Sequence, residues 1–194
     1  MAIARGKLEL LAESEGMTEE QLKELDAIYA TLGRAVKLNK ALLLLSRIEN
    51  GQYAETEDVC VDELLDELLP DLMEVYEHKQ INLERVKGEQ PFVIRCNASL
   101  AHILVTNLVK NALVHSPEGG RLVVETSSAS LVVKNSGTAP LDASQLFKRF
   151  AHSVDRKKDS TGLGLAISEA IASGCSLRLM YRWEEGMHVF SLVK

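Results

Sequence analysis

Apolar positions recur every three or four residues along the first quarter of the chain. Leu22, Leu25, Ile28, Leu32, Ala35, Leu42, Leu45 and Ile48 form one stripe that ends at Asn50-Gly51. The stripe predicts a single helix of about 30 residues. Thr18 followed by Gln21 has the form of a capping box, in which hydroxyl and amide satisfy the first free N–H groups of that helix. Ile3 to about Ala12 predicts a shorter helix, interrupted at Gly16 and uncapped at Met1, as a longer helix cut short would be. A stripe this long cannot be buried against so short a partner. The pair is therefore expected to be an antiparallel helical hairpin that pairs with a second copy of itself.

Residues 51–60 are polar and irregular, which puts a boundary between a hairpin at 1–52 and a second domain at 57–194. In the second domain the period changes repeatedly. Val61 to about Glu77 places Leu64, Leu65, Leu68, Leu69, Leu72 and Val75 on one helix face, with Pro70 a possible kink. Ile81 to Val86 and Phe92 to Cys96 predict strands, and Asn97 can cap a helix reaching about His115 before Pro117 to Gly120 closes it. Arg121 to Thr126 and Leu131 to Lys134 predict a hairpin around Ser127 to Ser130. Leu141 to Thr161 is charged and without clear period, Leu163 to Ala172 predicts a helix, and Leu177 to Trp183 and Val189 to Val193 predict strands around Glu184-Glu185-Gly186. The fold class is α+β: a helical hairpin, then a two-layer sandwich of a mixed sheet of about five strands with three helices.

Charge and cysteine content exclude several functions. The formal net charge of −6 is spread over interleaved acids and bases, without the basic patch that nucleic-acid phosphates require. The cysteines, Cys60, Cys96 and Cys175, indicate neither a disulfide framework nor a zinc site, and a reducing cytosol is the natural setting. No apolar run approaches the roughly 20 residues that cross a bilayer, and no signal peptide opens the chain. A soluble chain is expected.

Four segments carry candidate chemistry. In the helix from Asn97 to His115, Asn107 and Asn111 share a face, which His115 extends by one turn. Asparagine is a poor residue for a helix interior, so two in an apolar helix need a reason; an amide oxygen can ligate Mg²⁺ without adding negative charge beside a triphosphate. A solvated polar stripe is the plain alternative. Thr161-Gly162-Leu163-Gly164-Leu165 precedes a helix, whose N-terminal N–H groups and dipole favour phosphate, although turn chemistry alone would also use these glycines. Lys148, Arg149, Arg156, Lys157 and Lys158 crowd the preceding loop, either as a solvated charge run or as a lid over a polyphosphate. Val133-Lys134-Asn135-Ser136-Gly137 ends a strand in a turn, so the Asn135 amide is expected at the sheet edge, exposed. His78, His102 and His188 are read as structural or solvated, His152 as a possible phosphate contact, and Tyr181 and Trp183 as sheet residues.

In this order and spacing the segments resemble the ATP-binding catalytic domain of sensor histidine kinases of two-component systems. That domain is the Bergerat fold of the GHKL group, shared with gyrase, Hsp90 and MutL ATPases. Asn107 to Ala112 is similar to its N box, Asn135 to Gly137 to the first glycine box, Leu146 to Phe150 to the F box, and Gly162 to Leu165 to the second glycine box. The resemblance implies ATP and Mg²⁺ as cofactors. Asn107 and Asn111 would hold the metal and phosphates and act as catalytic groups, with Asn135, Gly137 and His115 at the nucleotide. Thr161, Gly162, Leu163, Gly164 and Leu165 would take the phosphates, Phe147 would anchor the lid, and Arg156 and Lys157 would reach from it.

Residues 1–52 resemble the dimerisation and phosphotransfer hairpin of the same family, without its acceptor histidine. All five histidines lie after the hairpin, and the chain is expected to begin just past the acceptor motif. The resemblance implies transfer of the ATP γ-phosphoryl to a histidine of the full-length protein and then to an aspartate of a response regulator receiver domain. It also implies a homodimer through the hairpin, a cytoplasmic location, a parent anchored in the bacterial membrane, and no autophosphorylation by this chain alone. The alternative is a non-catalytic nucleotide-binding scaffold. Asn135 stands where the family has an adenine-binding aspartate, and Val114 stands where it has a lysine or arginine.

Overall fold

The computed structural model describes residues 2–12, 17–148 and 162–194. Helix α1 (Ala2–Ala12) packs against α2 (Glu19–Glu49). The capping box forms as expected: the Gln21 N–H donates to Thr18 Oγ1 at 3.2 Å, and the Thr18 N–H donates to Gln21 Oε1 at 2.8 Å. The apolar stripe of α2 divides into two parts. Its C-terminal half turns Leu38, Ala41, Leu44, Leu45 and Ile48 onto the main hydrophobic core, where Leu45 is fully buried. Leu22, Ile28, Leu42 and Leu43 stay exposed, as do Ile3, Leu10 and Leu11 of α1.

A strand stands at residues 57–60, where the sequence had suggested irregular chain. Strand β1 (Glu57–Cys60) pairs antiparallel with β3 (Val93–Cys96), opposing Val59 to Ile94. Only Val59 and Cys60 turn inward from this short strand, so the apolar alternation that marks a strand could not register. Helix α3 (Val61–Val75) follows at once, burying Val61, Leu65 and Leu69. Pro70 is exposed, and the helix runs through it.

Asp62 fastens this region. Its carboxylate accepts hydrogen bonds from Arg85 Nη2 at 2.5 Å, Thr126 Oγ1 at 2.5 Å and the Phe92 N–H at 2.8 Å, so one buried acid joins α3, the entry to β3 and two strands. Burial pushes the carboxyl pKa up, but the three donors outweigh it and hold the group below its ordinary value.

The main sheet has five strands, in the order β2 (Asn82–Lys87), β4 (Arg121–Ser127), β5 (Ser130–Ser136), β7 (Met187–Val193) and β6 (Arg178–Glu184). Strand β2 runs parallel to β4, with helix α4 (Ala98–His115) in the crossover between them. Strands β5, β7 and β6 complete it with antiparallel pairing. Val124, Val133 and Phe190 sit side by side across three strands and face α3, α4 and α6 (Gly164–Gly174) in one core. The sheet is mixed and five-stranded and the class is α+β, as expected. A short helix, α5 (Ala143–Leu146), interrupts the segment that had shown no period.

Cys96, at the end of β3, and Cys175, at the C-cap of α6, form a disulfide with Cα atoms 5.5 Å apart. The sequence had indicated no disulfide. The 79-residue separation gives no short-range pattern to read, and it is the packing of α6 beside α4 that brings the two together.

Candidate functional site

Helix α4 lies at the centre of the domain. Asn97 caps it, accepting from the N–H groups of Ser99 and Leu100, and Leu100, Leu104, Leu108, Val109, Ala112 and Leu113 are buried. Its end is set by Ser116, which precedes Pro117 and is extended at φ −63° and ψ 141°, as a residue before proline must be. Lys79 closes that end. Its ammonium donates to the carbonyl oxygens of Leu113, Val114 and Ser116 at 2.6, 2.8 and 2.6 Å, filling all three donor positions against the negative pole of the helix. His115 lies exposed on this fixed last turn.

Asn107 and Asn111 are both half-buried, one turn apart on α4. The Asn107 amide donates to the carbonyl of Gly164 at 3.3 Å, and Ser168 Oγ donates to the same oxygen at 3.0 Å. The asparagine face of α4 is thereby held to the first turn of α6. Gly162 has φ +68°, a left-handed conformation that glycine adopts without strain, and a Cβ placed on Gly164 would meet nothing within 4 Å. No side chain caps α6; Leu163, at the N-cap, is buried and apolar. An open turn, an uncapped helix N-terminus and an asparagine amide beside them form a surface suited to phosphate oxygens. Asn111 has no hydrogen-bond partner among the described residues, which leaves its amide oxygen available to a hard cation. Among those residues no group of three His, Cys, Asp or Glu could hold a metal, so an oxygen site here would draw on asparagine.

The other end of the site differs from the sequence expectation. Asn135 is not an exposed turn residue: β5 continues to Ser136 in the middle of the sheet, and Asn135 is fully buried. The polar tail of the strand masked this continuation. The Asn135 Nδ2 donates to the Ser136 carbonyl at 3.1 Å, while its Oδ1 is buried without a partner. An orphaned buried acceptor fits an incoming amino group, such as that of adenine. Gly137 follows, tied by its N–H to the Gly186 carbonyl at 3.0 Å.

His188 opposes Asn135 across the β5–β7 pair and is buried. A Cβ on Gly137 would lie 2.2 Å from His188 Nε2, so glycine is what admits the imidazole here. Tyr181 Oη lies 3.1 Å from His188 Nδ1 and accepts from the Leu141 N–H at 2.9 Å. The signal was present in the sequence: Phe190 and Leu192 face the core, and residue 188 shares their face by period two.

Phe147 is half-buried against the core beside Leu146, and Leu165 packs there too. Arg156, Lys157 and Thr161 lie outside the described residues, as do Arg149, Phe150, His152 and Lys158. A cavity of about 410 Å³ near the end of α3, lined by Met73, Glu74, Tyr76, Glu77, Gln80 and Ile81, involves none of the candidate residues.

Residues 96–190 match the family described as histidine kinase-, DNA gyrase B-, and HSP90-like ATPase. The chain is 30% identical over 168 residues to the heme sensor protein HssS of Staphylococcus saprophyticus, covering 82% of this chain and 35% of that protein. It is 32% identical over 148 residues to the sensor histidine kinase RppB of Synechocystis, covering 71% and 33% respectively. The chain thus spans about a third of the length of these relatives. In fold it is similar to the Acinetobacter baumannii histidine kinase AdeS, with a TM-score of 0.67 at 21% identity over 98% of this chain and 92% of that one. A mycobacterial sensor histidine kinase, MprB, aligns with a TM-score of 0.61 at 24% identity over 72% of this chain and 96% of that one. Residues 96–190 of this chain therefore belong to the histidine kinase-, DNA gyrase B- and HSP90-like ATPase family, and the chain's relatives include a sensor histidine kinase, RppB.

Proposed function

We propose that this chain is the ATP-binding kinase core of a two-component sensor histidine kinase, which binds Mg²⁺–ATP between α4 and the N-terminus of α6. The observation that carries this reading is the hydrogen bond from Asn107 to the Gly164 carbonyl, which sets the asparagine face of α4 beside an open, uncapped helix start. Asn111 and Asn107 would hold the metal, the turn Gly162 to Leu165 the phosphates, and Asn135 with Gly137 the base. His115 would lie along the nucleotide, and Phe147 would anchor the lid segment that carries Arg156, Lys157 and Thr161.

Mg²⁺, when bound, would neutralise charge on the transferring phosphoryl group. The chain's own residues orient the triphosphate and supply fixed dipoles where charge accumulates, which is the main protein contribution in phosphoryl transfer. The γ-phosphoryl would pass to a histidine of the full-length protein and then to an aspartate of a response regulator. The exposed apolar residues of α1 and α2, Ile3, Leu10, Leu22 and Ile28 among them, support a homodimer formed through the segment 1–52, with 57–194 as the catalytic domain. Among the described residues no helix is long and apolar enough to cross a membrane, which accords with a cytoplasmic place for this part of the protein.

Residues 1–52 contain no histidine. The chain is accordingly expected to bind ATP without phosphorylating itself. Incubation with γ-labelled ATP tests this: the outcome expected is Mg²⁺-dependent binding and no acid-labile label on the chain, and stable incorporation of such label would refute it.

A further inference from the structure

We propose that His188 is a second base-recognising group of the nucleotide site, donating a hydrogen bond from Nε2 while Asn135 Oδ1 accepts one. Together they select a purine with an amino group at the 6-position beside an acceptor ring nitrogen, as in adenine, over guanine, which has a carbonyl there. The inference rests on the reading that this site binds a nucleotide.

Both groups are placed and oriented by the fold. Asn135 and His188 are opposed in the β5–β7 ladder, and both are buried, at 0% and 7% exposure. Facing partners of an antiparallel pair carry their Cβ atoms about 5 Å apart. The Asn135 amide is oriented by the bond from Nδ2 to the Ser136 carbonyl, which leaves Oδ1 as the unpaired acceptor. The tautomer of His188 follows from its neighbour. Tyr181 Oη already accepts from the Leu141 N–H, so its own proton is free to go to His188 Nδ1. With Nδ1 accepting, the ring hydrogen resides on Nε2.

That nitrogen has no partner among the described residues, and the ring edge that carries it packs against Gly137, where a Cβ would lie 2.2 Å from Nε2. Trp183 meets the ring edge-on, with centroids 4.8 Å apart, and limits its rotation. Burial also pushes the His188 pKa down, keeping the imidazole neutral near pH 7. The result is a fixed acceptor next to a fixed donor. Adenine offers the complement, an amino group flanked by ring nitrogens. Guanine would set its carbonyl oxygen against the Asn135 acceptor, and a site whose polar groups are left unpaired rejects the analogue.

The test is calorimetric titration of the full chain and of His188→Phe with the Mg²⁺ complexes of ATP, GTP, 1-deaza-ATP and 7-deaza-ATP. The wild-type chain is expected to bind ATP at least about tenfold more tightly than GTP, and one of the two deaza analogues about tenfold more weakly than ATP, the value of one buried hydrogen bond. His188→Phe is expected to lose that tenfold toward ATP and to bind ATP and the same analogue alike. Tyr181→Phe leaves the His188 ring in place and removes the hydroxyl that sets its tautomer, together with the acceptor of the Leu141 N–H; it is expected to narrow the same ratio, and it decides the matter should His188→Phe fail to fold. An unchanged ratio of ATP to deaza-ATP in the variant that folds overturns the assignment of His188 alone. Absence of any nucleotide binding by the wild-type chain overturns the parent reading, and this one with it.

Discussion

The side-chain amide of Asn107 donates to the carbonyl of Gly164 across 3.3 Å, joining the middle of α4 to the first turn of α6. The bond makes one surface of two segments 57 residues apart in sequence. It also fixes what residue 107 must be. Asn107→Asp would set a carboxylate against the carbonyl and lose the donor, whereas Asn107→Ala loses the donor only. Both variants are expected to bind Mg²⁺–ATP less well, and the aspartate variant to be the less stable by about 1–2 kcal/mol. Urea denaturation beside nucleotide titration of the two variants measures this. Equal stability would detach the bond from the fold.

Lys79 is expected to matter to stability out of proportion to its position in a surface turn. It donates to three carbonyls at the end of α4, and Lys79→Met would leave those oxygens without a charged donor. The expected loss is about 2–3 kcal/mol. Lys79→Arg, longer and planar, should recover only part of it. Chemical denaturation of both variants provides the measurement, and a change within about 0.5 kcal/mol for methionine, the range of ordinary surface substitutions, would contradict the assignment.

Acid should destabilise the domain in two separate windows. Burial lowers the His188 pKa in the folded state, so below the ordinary value of 6.5 the unfolded chain takes up a proton that the folded chain does not, and stability falls as pH drops from there. Asp62 is also lowered in the folded state, by donors that outweigh its burial; its contribution is present above the ordinary value of 3.8 and is lost as pH falls through the folded pKa. His188→Phe is expected to flatten the upper window and leave the lower one. Denaturation midpoints measured between about pH 2 and 8 check this, and an unaltered slope near pH 6 in the variant would contradict it.

The Cys96–Cys175 disulfide closes a loop of 79 residues in sequence, from the start of α4 to the end of α6. Restricting the unfolded chain over such a loop stabilises by about 4–5 kcal/mol in the chain-entropy model. Thiol titration of the unfolded protein is expected to find one reactive cysteine, Cys60, under oxidising conditions. Reduction should expose the other two and lower the denaturation midpoint, and Cys96→Ala should make the protein insensitive to reductant. Equal stability with and without reductant would contradict the linkage.

Much of the fold was legible because its elements carry strong local signals. The α2 stripe and capping box, the Asn97 cap and the stop at Pro117 are each written within a few residues, and the helices form where these place them. What could not be read depends on pairing over long distances. Strand β1 has too few inward positions to alternate visibly, and it exists because β3 offers it an edge. The joining of Cys96 to Cys175 follows from helix packing. Asn135 looked like part of a turn because Asn-Ser-Gly is good turn chemistry, but β5 is held between β4 and β7, and the ladder carries it two residues further. Burial then changes the chemistry of that residue, from a solvated amide to an orphaned acceptor, and the strand register sets His188 opposite it.

The central claim is that the asparagine face of α4 binds Mg²⁺–ATP, and the most direct measurement is calorimetric titration of the chain and of Asn111→Ala with ATP in the presence of Mg²⁺. The wild-type chain is predicted to show saturable one-site binding that weakens when the metal is chelated. The alanine variant, with its fold intact by circular dichroism, is predicted to bind at least about tenfold more weakly, since it lacks an oxygen ligand that nothing in the described structure replaces. Absence of saturable binding by the wild-type chain, or identical affinity in Asn111→Ala, would contradict the account.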